Sequence, residues 1–301
     1  MLKKYEELFS VKEEFMLPCG RSCPGCGGGI ITRFALKAVE GKNVVLSSGS
    51  CGTNTTGIFP IGPMARVGVP VTMLGAFGGV FSGIREALNV TGREDATVLG
   101  IVGDGDAADI GFGLLSGMIE RRHKVALIIQ DNQGYAATGG QRSGTTPLKA
   151  WTRTTPDGKK QPPKQLPFIF MAHDIPYTAT AAISHPEDLF AKIKKALKPE
   201  NQPSLIQALS PCVPNWKIDP KRTIEVARLA VETGFWPLYE YERGSFRRTV
   251  FIKEKKPLQE FLKLQGRYAH VTEEDIRDIQ HYMDELERKI EGYLRFYSQE
   301  I

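Results

Sequence analysis

The chain has 301 residues, of which 41% are hydrophobic, 24% charged and 9% aromatic, with a formal charge of +5. This composition is that of a globular protein of one large or two ordinary domains, and it excludes disordered and fibrous classes. There is no apolar run long enough for a membrane span, no apolar signal core after Met1-Leu2-Lys3-Lys4, and no basic cluster interleaved with aromatics of the kind that binds nucleic acid. The expected location is the cytoplasm.

In chain order, the first feature is Cys23-Pro24-Gly25-Cys26, followed by a helical pattern over 28–39. Short β-rich runs lie at 44–48, 71–76, 97–102, 125–130, 177–182 and 204–209. Most are continuously apolar, which suits strands buried on both faces of a parallel sheet. Helical patterns at 79–88, 110–121 and 186–197 separate them. This alternation predicts an α/β fold, a doubly wound and mostly parallel sheet, with ligands at the carboxyl ends of the strands. The proline-rich stretch 141–167 is read as a long functional loop. After it come a helix at 219–233, a hairpin of 238–241 and 248–252, and a charged helix at 272–297 opened by the capping-box pattern Thr272-Glu273-Glu274-Asp275. The expected division is an α/β domain over 1–215 and a C-terminal extension of helix, hairpin and helical arm over 216–301.

Two constellations carry chemistry. The run at 97–102 leads into Gly103-Asp104-Gly105-Asp106, and the run at 125–130 into Asp131-Asn132-Gln133-Gly134-Tyr135. A diphosphate is held through Mg2+, which takes six oxygens. Asp104 offers a carboxylate, Asn132 an amide oxygen and Gly134 a carbonyl; two phosphate oxygens and a water complete the set. A lone Gly-Asp-Gly is often a plain turn, and it is the strand–helix–strand context with Asn132 that points to a cofactor.

The second constellation is thiol. The five cysteines are Cys19, Cys23, Cys26, Cys51 and Cys212, an odd number in a chain with no secretory signal, which argues against a disulfide framework. Cys51 follows the first run and Cys212 the last, so a parallel sheet brings both to one edge with the Cys23/Cys26 pair. Four thiolates can hold a 4Fe–4S cluster or a structural Zn2+. A redox dithiol and ordinary buried thiols are further readings. The five histidines read as surface or capping residues.

Together these residues resemble the β subunit of the pyruvate (2-oxoacid):ferredoxin oxidoreductase family. The matching segments are Cys23-Pro24-Gly25-Cys26-Gly27, Ser50-Cys51, Gly103 through Gly111, Thr138-Gly139-Gly140-Gln141, Ser210-Pro211-Cys212 and Pro257 through Arg267. The resemblance implies a thiamine-diphosphate-binding fold and a 4Fe–4S cluster on Cys23, Cys26, Cys51 and Cys212. It implies Mg2+ on Asp104, Asn132 and the Gly134 carbonyl. It implies cofactor contacts from Gly49, Ser50, Cys51, Gly52, Gly103, Asp104, Gly105, Asp106, Asn132, Ala136, Ala137 and Thr138. The implied activity is oxidative decarboxylation of a 2-oxoacid to acyl-CoA and CO2, with coenzyme A as co-substrate and ferredoxin as electron acceptor. The activating glutamate is expected on an α subunit carrying the pyrimidine-binding domain, with γ and δ subunits completing the complex. The modest positive charge suits an acidic partner such as ferredoxin.

Two departures stand out. Cys19 is an extra cysteine with no assigned role. Where pyruvate enzymes of the family usually read Tyr-Ser-Asn, this chain reads Tyr135-Ala136-Ala137. A small Ala137 leaves room for a branched-chain, aryl or oxalate-like acid. The competing readings are a self-contained thiamine-diphosphate decarboxylase, a zinc-stapled nucleotide-binding scaffold and a simple electron carrier.

Overall fold

The computed structural model describes residues 14–16, 22–39, 44–48 and 72–297. Among the described residues seven strands form one sheet: β1 (Val44–Ser48), β2 (Thr97–Gly103), β3 (Val125–Asp131), β4 (Tyr177–Ala182), β5 (Ser204–Leu209), β6 (Tyr239–Glu242) and β7 (Ser245–Arg248). Their order is β1-β2-β3-β5-β4-β6-β7; the first five are parallel, and β6 and β7 continue the sheet antiparallel. The helices are α1 (Gly27–Val39), α2 (Phe77–Val90), α3 (Phe112–Glu120), α4 (Leu166–Met171), α5 (Pro186–Ala196), α6 (Val213–Trp216), α7 (Thr223–Glu232), α8 (Leu258–Leu262) and α9 (Glu273–Tyr297). None of them is long and apolar enough to cross a membrane.

The continuous apolar runs are explained by two covered faces. In β2, Leu99 and Ile101 join α1 and α5 in one core, with Ile31, Leu36, Leu189 and Ile193. Val98 and Val102 turn the other way, to Phe77, Phe81, Leu115 and Met118 of α2 and α3. Successive side chains of a strand serve opposite faces, so a strand between two helical layers has no solvent side.

The structure corrects several element boundaries. Residues 72–76 are coil and turn rather than strand. Gly75 adopts φ +81 and its N–H donates to Asp106 Oδ1 at 2.5 Å, so this backbone serves the β2 terminus instead of a ladder. The second hairpin strand begins at Ser245, not 248, because Arg243 (φ 48) and Gly244 (φ 89) make a two-residue turn with both φ positive, and pairing resumes at once. The helix expected at 110–121 starts at Phe112, after a π-turn over Asp106–Ile110. Within the stretch read as loop, α4 forms with Pro167 in its first turn.

The C-terminal arm is docked, not free. Its capping box forms as expected: the Asp275 N–H donates to Thr272 Oγ1 at 3.2 Å and the Thr272 N–H to Asp275 Oδ2 at 2.9 Å. Ile279, Met283, Leu286 and Ile290 are buried at helical spacing, and Tyr293 stacks on Phe168 at 4.9 Å beside the hairpin.

Candidate functional site

The register of β2, β3 and β5 sets the site. Gly103 pairs with Gln130, and Asp131 with Leu209. The Ser210 N–H then donates to the Asp131 carbonyl at 2.9 Å, so Asp104, Asn132 and Ser210-Pro211-Cys212 leave the sheet side by side at its carboxyl edge.

Asp104 is fully buried. Its Oδ2 accepts Ser143 Oγ at 2.5 Å and Thr145 Oγ1 at 2.7 Å, and its Oδ1 accepts the Asn132 N–H at 3.3 Å. Ser143 and Thr145 come from the 141–165 loop, which folds inward over the strand ends. Lys159 pins that loop from within: its buried ammonium donates to the carbonyls of Thr146 (2.6 Å), Gly144 (3.2 Å) and Pro162 (3.4 Å), and burial pulls its pKa down to about 8. A second carboxylate, Asp131, accepts Gln207 Nε2 at 2.6 Å, Thr145 Oγ1 at 2.9 Å and the Gln133 N–H at 3.0 Å. Thr145 thus faces two carboxylates with one hydroxyl proton. Burial pushes both acids up, Asp131 to about 6, and repulsion from Asp131 adds to the rise at Asp104.

The side-chain amide of Asn132 lies between Asp104 Oδ1 and the Gly134 carbonyl, and its NH2 donates to both, at 3.3 and 2.7 Å. Carboxylate, amide and carbonyl groups therefore meet at one point, joined by the amide's protons. With the amide turned to present its oxygen, the same carboxylate, amide and carbonyl would suit a hard cation such as Mg2+, whose charge would also bring the two buried carboxylates back to their ionised forms. Tyr135 closes the rim, its hydroxyl donating to the Gly105 carbonyl at 2.8 Å and lying 3.3 Å from Asp109 Oδ2. Asp106 is buried, with Oδ1 on the Gly75 N–H and Oδ2 without a partner among the described residues.

The thiols gather next to these oxygens. Cys23, Cys26 and Cys212 line one pocket together with Asn132, Ala136 and Ala137. None of these three cysteines forms a disulfide. The Cys-Pro-Gly-Cys turn is tightly seated: Gly25 adopts φ +76, and a Cβ there would stand 2.5 Å from the Pro220 carbonyl. Gln130, at the end of β3, donates to the Gly28 carbonyl at 3.1 Å and to Thr32 Oγ1 at 3.0 Å, fixing α1 to the sheet. Burial pushes the Cys26 thiol up, while the N–H groups of Gly28 and Gly29 at the start of α1 pull it down. Three thiols thus share one pocket, one of them already facing backbone donors, although among the described residues no three His, Cys, Asp or Glu side chains are grouped closely enough to hold a metal ion by themselves.

Of the predicted site residues, Gly49, Ser50, Cys51 and Gly52 lie outside the described residues, as does Cys19. Thr138 is exposed, and its hydroxyl is engaged within its own turn by Gln141 Oε1 at 2.6 Å. The sequence reading missed Ser143, Thr145, Asp131 and Gln130. It also missed Trp216, whose indole N–H donates to the Asn132 carbonyl at 2.8 Å.

Residues 71–208 match the family model of the thiamine pyrophosphate enzyme, C-terminal TPP binding domain. The chain is 43% identical to pyruvate synthase subunit PorB of Methanothermobacter thermautotrophicus, covering 91% of this chain and 96% of that protein. It is 41% identical to ketoisovalerate oxidoreductase subunit VorB of Pyrococcus horikoshii, covering 89% of each. Among solved structures, the fold is similar to a 2-oxoglutarate:ferredoxin oxidoreductase from Magnetococcus marinus, with a TM-score of 0.57 and 24% identity over 71% of this chain and 79% of that one. With identity above 40% to such subunits over about nine-tenths of its length, the chain belongs to the 2-oxoacid:ferredoxin oxidoreductase β-subunit family.

Proposed function

We propose that this chain holds thiamine diphosphate through Mg2+ at Asp104, Asn132 and the Gly134 carbonyl, and a 4Fe–4S cluster on Cys23, Cys26, Cys51 and Cys212. With its partner subunits it oxidatively decarboxylates a 2-oxoacid to acyl-CoA and CO2, and the electrons leave for ferredoxin. The observation that carries this reading is the shared pocket, in which Cys23, Cys26 and Cys212 stand with Asn132, Ala136 and Ala137. Bound thiamine diphosphate supplies the electron sink for loss of CO2. The chain's own part is to hold and to shield. Asp104 contributes the charge that fixes the cation, Ser143 and Thr145 aim that carboxylate, and Tyr135 braces the Gly105 backbone beside it. The activating glutamate comes from an α subunit carrying the pyrimidine-binding domain, and γ and δ subunits complete the complex.

Ala136 and Ala137 favour a substrate bulkier than pyruvate, because their methyl groups leave open the part of the pocket they line. Relatives named for pyruvate and for ketoisovalerate are similar to this chain to nearly the same degree, which suits a 2-oxoacid site tuned by few residues. The test is anaerobic dye reduction by the co-expressed complex with coenzyme A, across pyruvate, 2-oxoisovalerate, aryl and dicarboxylic 2-oxoacids. A methylene in an apolar pocket shifts kcat/KM by about 10–200-fold, so a branched or aryl acid should equal or exceed pyruvate. Normal turnover of pyruvate with low turnover of every bulkier acid would refute the substrate reading. No turnover of any 2-oxoacid would refute the function.

A further inference from the structure

The loop over 141–165 is built around a buried charge. Lys159 is 1% exposed. Its backbone is held on both sides: its N–H donates to the Ala150 carbonyl at 3.0 Å, and its carbonyl accepts the Lys149 N–H at 2.7 Å. Its side chain turns back into the loop, where Nζ donates to the carbonyls of Thr146, Gly144 and Pro162 at 2.6, 3.2 and 3.4 Å. An ammonium has three N–H donors and no lone pair, so three carbonyls match it fully. A neutral amine would bring two donors and a lone pair to the same three oxygens, and would leave one buried carbonyl facing that lone pair.

The clamped residues are the ones that serve Asp104. Thr146 Oγ1 donates to the Gln133 carbonyl at 2.7 Å and accepts the Ser143 N–H at 2.8 Å. Ser143 Oγ and Thr145 Oγ1 donate in turn to Asp104 Oδ2. The Gly144 N–H donates to Asp109 Oδ2 at 2.7 Å, which ties the same segment to the turn after β2. Lys159 therefore acts on Asp104 through Thr146 and Ser143, and on the backbone before Gly134 through Thr146 and Gln133. The charges that face it are Arg142 and Lys164 of its own loop, Asp109 of the turn after β2 and Asp131 at the end of β3. Burial and the two cations pull its pKa down to about 8, against the pull of the two carboxylates.

We infer that Lys159 is a positioning residue for the diphosphate cofactor: in its charged form it sets residues 143–146 so that Ser143 and Thr145 aim the Asp104 carboxylate. The inference rests on the thiamine-diphosphate reading above and involves none of the cysteines. No bond forms or breaks at Lys159. Where Lys159 has lost its proton, cofactor binding must recover one from solvent. Affinity for the cofactor therefore falls as pH rises past the lysine's pKa, by up to about tenfold per pH unit.

The test is calorimetry of thiamine diphosphate and Mg2+ binding to the co-expressed complex freed of cofactor, from pH 7 to pH 9.5, in two buffers of different ionisation enthalpy. Wild type should take up about one proton per site at pH 9 and lose affinity by up to about tenfold per pH unit there. Lys159→Met keeps the length and removes the charge. It should bind about 10–100-fold more weakly at pH 7 and lose the wild-type proton uptake at pH 9, with kcat at saturating cofactor moving less than affinity. Thr146→Val leaves Lys159 in place and removes the hydroxyl between Ser143 and Gln133. It should weaken binding at pH 7 while keeping the proton uptake, and it carries the test should Lys159→Met fail to fold. Wild-type affinity in either variant, or a wild type that takes up no proton at pH 9, would overturn the inference alone. So would a Lys159→Met complex that binds weakly but keeps the wild-type proton uptake, the mark of a merely structural lysine. A wild-type complex that binds no thiamine diphosphate would overturn the cofactor reading, and the inference with it.

Discussion

Asp104 and Cys23 stand on the same edge of one sheet, yet the first is sealed and the second exposed. Around Asp104 the chain has placed two hydroxyls, a second carboxylate and a loop pinned by a buried ammonium. Cys23, Cys26 and Cys212 line a pocket with Asn132, Ala136 and Ala137, and Cys26 faces the N–H groups of Gly28 and Gly29. The difference follows from the bonds each site makes. A cation held by oxygens depends on a rigid, pre-aimed set of dipoles, because hydration competes for it. Thiolates bonded to a metal or cluster are organised largely by the metal itself, so the protein need only bring them within reach. The residues that bond to Asp104 therefore all lie within the described residues, while Cys23, Cys26 and Cys212 are described and Cys51 lies outside them.

That contrast can be broken at several points. On the proposed reading Asp104→Asn removes the cation's charged ligand and should cut thiamine-diphosphate-dependent turnover by more than about 100-fold, beyond the 10–100-fold usual for residues that only support a ligand. Iron content should stay unchanged, and its loss in this variant would show that the two halves are not separate. Ser143→Ala and Thr145→Ala should each weaken binding of thiamine diphosphate with Mg2+ by about 10–100-fold, read by calorimetry.

The third test is of pH. The folded-state pKa of Asp131 is raised to about 6 by burial. The unfolded chain binds fewer protons than the folded one between about pH 4 and pH 6, so this group's contribution to apo stability is present at the acid end and lost as pH rises through about 6. Asp131→Asn should remove that slope, which is worth roughly 2–3 kcal/mol, in thermal melts of the apo chain from pH 4 to pH 7. An identical slope in variant and wild type would contradict the assignment. The smallest effect belongs to Gln130→Leu, which cuts the tie between β3 and α1 and should cost about 1–2 kcal/mol in denaturant unfolding, with looser retention of iron.

Much of this was legible in the sequence because the informative residues sit at strand ends. Gly-Asp-Gly and Asp-Asn mark the carboxyl ends of β2 and β3, and continuous apolar runs announce a sheet covered on both faces. The supporting residues were not legible. Ser143 and Thr145 lie in a loop with no periodicity, and only its inward fold reveals that their hydroxyls meet Asp104. Trp216 and Arg267 are far apart in sequence, and their stacking is a product of the C-terminal fold. The false strand at 72–76 has the right residue types, but the positive φ of Gly75 and its bond to Asp106 override β propensity.

The most direct test of the account is the iron, acid-labile sulfide, zinc and thiamine diphosphate content of the full-length chain purified anaerobically, with EPR spectra of wild type and Cys212→Ser. The account predicts about four irons and four sulfides per wild-type chain, bound thiamine diphosphate, and a Cys212→Ser chain that loses the cluster signal while keeping the cofactor. Stoichiometric zinc without sulfide or thiamine would contradict it and make the cysteines a structural staple.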